Sequence, residues 1–226
     1  MADVTKDNRF IFNAGAWAGI FLIAMIPAQI FMFIKFPPPE TVSGVFEVFN
    51  ANVFLGLVNT DILYVITNVI MLAVYASFYY IMRGQDGEKT AVMGLIFIIA
   101  GVAAFISSSP SFTMMNLADK YLSAPDDSAR NLYLAAGEGA MAGLTGSAYV
   151  VYYFMNAAGL LLISYSMILN KGFSKTIIAA GIASGFFMLI PSSFGAVGMA
   201  FSFLSLIPYT VWIILLTKIF FEKIKG

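Results

Sequence analysis

Long apolar runs, each closed by a short polar or proline-bearing break, fill most of the chain. A helix needs about 20 such residues to cross the ~30 Å hydrocarbon core of a bilayer. Six runs read as membrane spans, at about 11–34, 61–82, 90–106, 147–168, 174–189 and 199–219. The breaks are of the kinds that stop helices: Lys35 with Pro37-Pro38-Pro39, Arg83 to Lys89, Ser107-Ser108-Ser109-Pro110, Asn170-Lys171-Gly172, and Pro191. Asp7 is placed to cap the first helix. Pro27 and Pro208 fall inside the first and sixth runs and predict kinks there.

Between the spans, three segments carry a helical period with one apolar face. In residues 41–50, Val42, Val45, Phe46 and Phe49 recur at i, i+3, i+4 and i+7, with Glu47 off the stripe. This predicts a short amphipathic helix at the membrane interface. Residues 112–122 predict a second. The third covers 125–144, with Ser123, Pro125 and Asp126 as its opening cap. It leads into a stretch, Asn131 to Asn170, whose only charge is Glu138 before the final turn signal. As one helix that stretch would be about 60 Å long, twice a bilayer core. It must divide, and Gly143 to Gly146 is the natural place. Residues Ser192 to Gly198 read as a small-residue loop and Glu222 to Gly226 as a charged tail.

Basic residues set the expected orientation. With the N-terminus inside, Lys6, Arg9, Arg83, Lys89, Lys171, Lys175, Lys218, Lys223 and Lys225 fall on the cytoplasmic side. Only Lys35, Lys120 and Arg130 fall outside. The first apolar run is too long for a signal peptide core and lacks a small-x-small cleavage site, so it reads as an uncleaved signal anchor. The expected fold is therefore all-α: a polytopic membrane bundle of six transmembrane helices in a single domain, 1–226. Short amphipathic helices cap its extracytoplasmic face, and both termini are cytoplasmic. No internal repeat relates its halves, so an inverted-repeat transporter is not expected.

Composition fits this class and removes many activities. The chain is 60% hydrophobic and 11% charged, with a mean hydropathy of +0.88. Net charge is zero, which gives no general attraction to nucleic acid. There is no Cys and no His. That excludes disulfides, thiolate and imidazole catalysis and the usual zinc and haem ligands. No lysine lies mid-helix for a Schiff base, and no Ser–Lys pair or phosphate loop is visible. The scattered methionines read as packing, not as a copper site. No cofactor and no metal site are expected.

Two spans carry polar residues in helical register. Asp61, Tyr64, Asn68 and Tyr75 mark one face of the second; Thr145, Tyr149, Tyr152 and Asn156 mark one face of the fourth and continue the register of Glu138. Polar groups are costly in hydrocarbon, so both faces should turn inward. They could line a cavity with Asp61 and Glu138 near its mouth. Each also has a plainer role. Asp61 follows Asn59-Thr60 at a helix start and can be an N-cap. Glu138 can face water or pair with Arg130. Tyr149, Tyr152 and Tyr153 can form an interfacial aromatic belt. Asn68 and Asn156 can join helices by hydrogen bonds. Gly139-x-x-x-Gly143, with Gly146 beyond, permits close helix contact.

From Val45 onward the chain resembles a family of small prokaryotic six-span membrane proteins, domain of unknown function 4386 or a close relative. The matching pieces are Leu57 to Asp61 with Tyr64, Ser109-Pro110-Ser111-Phe112, Leu134-Ala135-Ala136-Gly137-Glu138, Gly146 with Tyr152-Tyr153, and Phe173-Ser174-Lys175. The resemblance implies a prokaryotic inner or cytoplasmic membrane and carries no activity, cofactor or catalytic residue.

The expected function is a non-enzymatic membrane protein. It would bind a lipid or small apolar ligand, or a membrane partner, through its outer cap and upper bundle. The rival is a small channel or transporter with a polar path along the second and fourth spans. A weaker third is a membrane enzyme using carboxylates and a recruited metal. The expected partners are the lipid bilayer and, beyond it, a membrane protein or a second copy of the chain; nucleic acid is not among them.

Overall fold

The computed structural model describes residues 6–225, with side chains from Arg9 onward. Among the described residues the chain is helical throughout and has no strand. In order come α1 (Lys6–Lys35), α2 (Val42–Ala51), α3 (Val53–Asn59), α4 (Ile62–Met82), α5 (Glu88–Ser107), α6 (Ser111–Leu122), α7 (Asp127–Ala142), α8 (Ser147–Asn170), α9 (Lys175–Phe187) and α10 (Gly195–Lys225). The long run around Glu138 breaks between Ala142 and Ser147, where the length argument requires it. Asp7 lies within α1, and its side chain is outside the described ones.

Among the described residues, five stretches are long and apolar enough to cross a membrane: Arg9–Lys35, Ile62–Met82, Glu88–Leu122, Asp127–Asn170 and Gly195–Lys225. The fifth expected span is shorter than the sequence suggests. Its helix, α9, has 13 residues, about 20 Å of rise. At the other end, α10 starts inside the expected small-residue loop and continues to Lys225 in the expected charged tail, and Lys218 and Glu222 lie 3.9 Å apart near its end.

The chain forms two compact units. The first holds the described residues up to Met25, Thr67–Ala103 and Val150 onward; the second holds Ile26–Ile66 and Ala104–Tyr149. In the first, small residues let helices approach closely, the usual solution where lipid removes any hydrophobic drive between helices. A side chain at Gly94 or Gly159 would meet the other's carbonyl oxygen at 2.8 Å. Ser77 on α4 fits against Gly15 on α1 and reaches the Ile11 carbonyl oxygen at 2.7 Å. Trp212 of α10 is fully buried between Tyr75 and Tyr209, with ring centroids 5.9 and 6.2 Å away. α9 packs along α10.

The second unit has its own core. Val45, Phe46 and Phe49 of α2 bury against Met114 and Ala118 of α6, and Leu134, Ala140 and Met141 of α7 close around them. The Phe46 and Tyr121 rings stand 5.4 Å apart, and Gly137 leaves room for the edge of Phe46. The apolar stripe expected to lie on the interface is therefore spent on a helix–helix core. The reason is that α6 and α7 present complementary apolar faces to it, and burial of a ring such as Phe46 is worth about 1.5–3 kcal/mol. The caps are local. Thr41, Asn52 and Asp126 accept the N–H groups of Gly44, Leu55 and Ala129 at 3.2, 3.0 and 2.8 Å. Ser123, expected to open the next helix, instead closes α6 by donating to the Asp119 carbonyl at 2.9 Å.

Candidate functional site

Within the second unit, Asn59 and Thr60 end the short helix α3, and Asp61 stands just before α4. The Asp61 carbonyl takes the first α4 bond, from Val65 N–H at 3.0 Å. The position is that of a cap, yet the carboxylate is taken up by hydroxyls. Oδ1 accepts from Ser109 at 2.8 Å and from Ser111. The Ser111 hydroxyl oxygen accepts the Asp61 backbone N–H at 3.3 Å and lies 2.7 Å from the Thr60 hydroxyl. Thr60 also reaches the Leu57 carbonyl at 2.8 Å. Pro110 makes this arrangement possible. It ends the helical path of α5 and begins α6, which places Ser109 and Ser111 on either side of a turn.

The result is a polar knot in apolar surroundings. Asp61 is 2% exposed and Asn59 7% exposed, and Thr60 and Ser111 are buried. Asp61 Oδ2 and Asn59 Oδ1 are buried with no hydrogen-bond donor. A carboxylate out of water costs several kcal/mol unless both oxygens are satisfied. Here one oxygen is held by two hydroxyls and the other is bare.

Comparison of the chain with protein-family models, curated proteins and solved structures finds no match. The segments that meet at the knot are Leu57 to Asp61 and Ser109 to Phe112.

The other sequence candidates are placed as follows. Glu138 is exposed on α7, and Arg130 pairs with Asp127 at 3.4 Å. Thr145 is exposed in the break before α8. Tyr64 is exposed with its ring stacked 5.9 Å from Phe33. Tyr149 is half-buried beside Phe105, with centroids 6.3 Å apart. These four share the second unit with Asp61. Asn68, Tyr152 and Asn156 belong to the first. Asn68 is buried. Asn156 is buried, donates to the Tyr152 carbonyl at 2.8 Å and sits against Gly101. That is a packing role. Tyr153, expected in an aromatic belt, has its hydroxyl 3.1 Å from Ser192 and 3.0 Å from Ser202. Gly139 faces open space, so the Gly139-x-x-x-Gly143 motif makes no close contact at its first glycine.

Sequence reasoning missed Ser109 and Ser111 as partners of Asp61, and Thr60 and Asn59 as buried polar neighbours in the same knot. It took the first two as a helix break and the last two as a helix start. The available signal was the density of hydroxyls on two breaks flanked by apolar residues.

Proposed function

We propose that the protein is a non-enzymatic integral protein of a prokaryotic cytoplasmic membrane. It crosses the membrane six times, α9 making the short crossing, with both termini inside. Its short helices α2, α3, α6 and α7 form an outer cap that binds membrane lipid. The distribution of basic residues supports the orientation, and the family resemblance supports the compartment.

One observation carries the lipid reading. The cap helices close their own core around Phe46, and still leave Phe54, Phe112 and Leu132 exposed by 68, 58 and 70%. Apolar side chains this large and this exposed on three helices of one unit favour a further apolar neighbour. At a membrane surface, lipid is that neighbour.

The absence of native cysteine makes a direct test available. Leu132→Cys and Phe112→Cys are each labelled with an environment-sensitive fluorophore and reconstituted in nanodiscs. Blue-shifted emission quenched by brominated lipid is expected at both. Water-like emission without quenching at both positions overturns lipid binding by the cap.

A cation path along α4 and α8 is the second reading. The helical register of the polar residues on each of the two spans supports it.

A further inference from the structure

We propose that the Asp61 knot is a binding site for one monovalent metal cation of the sodium class. The proposal deepens the reading of the second unit as the ligand-binding part and rests on it.

Three features point to a cation. First, Asp61 Oδ2 is a buried carboxylate oxygen that no protein donor reaches, and Asn59 Oδ1, two residues away, is in the same condition. Bare buried acceptors call for a positive partner. Second, Oδ1 accepts two hydroxyls at the N-terminal end of the 21-residue helix α4. Hydroxyl donors and a helix N-terminus are an environment built for a negative charge. Third, every polar side chain in the knot is neutral except Asp61, and every group offers oxygen: Asn59, Thr60, Asp61, Ser109 and Ser111. Oxygen ligands suit hard cations. One carboxylate balances one positive charge. A divalent ion would leave a net charge buried, which is why calcium and magnesium sites recruit further carboxylates.

The test uses the full-length protein in nanodiscs, with NaCl titrated against choline chloride at constant ionic strength. Binding is read as the melting temperature and as uptake of radioactive sodium. Wild type is expected to melt higher with sodium, saturably, and to bind one sodium per chain. Asp61→Asn is expected to lose both responses. Glu138→Gln, an exposed acid in the same unit, is expected to keep them. Asn59→Ala is expected to weaken binding about tenfold, the cost of one hydrogen-bond-strength ligand to a charge. Should Asp61→Asn fail to fold, wild-type sodium uptake and the Asn59→Ala shift decide alone. A melting temperature that follows pH but not sodium makes the occupant a proton and overturns the proposal. A response to neither means that water satisfies the two oxygens, and overturns it as well. A wild-type protein that shows no sodium response while lipid quenching at Leu132 is intact refutes the cation site and leaves the lipid reading standing; the converse separates them the other way.

Discussion

Ser111 and Asp61 hold each other at both ends: the Ser111 hydroxyl donates to the Asp61 carboxylate and accepts the Asp61 backbone N–H at 3.3 Å. The pair ties the start of α4 to the start of α6 across 50 residues of chain. Ser111→Ala removes both bonds together with the contact to Thr60, and leaves a buried charge with one donor fewer. A loss of about 1.5–3 kcal/mol is expected, the range for a hydrogen bond to a charged group. Ser123→Ala, at an exposed helix end, should cost about 1 kcal/mol or less. Denaturant titration of the two variants in the same micelle checks the order.

Two helical glycines should respond oppositely to alanine. A methyl at Gly159 would meet the Gly94 carbonyl at 2.8 Å and Ile98 at 2.7 Å. Gly159→Ala is expected to destabilise by about 1–3 kcal/mol, the cost of overpacking. Gly139 has nothing within 4 Å. Gly139→Ala should stabilise by about 0.4–1 kcal/mol, by reducing the freedom of the unfolded chain. Equal effects in thermal melts would contradict the packing described for α5 and α8.

Phe46 is the centre of the second unit's core and is fully buried. Phe46→Ala is expected to cost about 3–5 kcal/mol. Because that core is local to the second unit, hydrogen exchange should rise first in α2, α6 and α7. Uniform exchange across all helices would show that the unit does not open by itself.

Orientation is read by single cysteines at Asp127 on α7 and Gln85 between α4 and α5, both exposed. On intact cells a membrane-impermeant maleimide should label Asp127→Cys and spare Gln85→Cys. The reverse pattern would place the α7 side in the cytoplasm and remove the outer cap.

A non-transporting protein predicts no sodium flux in proteoliposomes beyond that of empty vesicles. Flux that is present in wild type and altered by Asp61→Asn, but not by Glu138→Gln, would replace the binding reading with a path through α4.

The helices were legible because their causes are local. Apolar run length, Pro37-Pro38-Pro39, Pro110 and the glycines at 143 and 146 act within a few residues, so most helix limits follow from counting. The differences lie at helix ends, as in α10 and α9. Asp61 was legible as a polar residue at a helix start, which is a one-dimensional property. Its partners were not, since Ser109 and Ser111 look like any helix break until Pro110 turns them onto α4. Likewise the spacing of Val42, Val45, Phe46 and Phe49 specified an apolar face without naming what covers it; period alone cannot distinguish lipid from Met114.

The sequence by itself determined an all-helical, lipid-compatible chain, because hydropathy and helix breakers need no knowledge of neighbours in space. Only the tertiary structure decided that the α2 stripe closes a core and that Asp61 is buried with one oxygen held and one bare. Burial and hydrogen bonding are properties of segments that meet, and here they meet from 50 residues apart.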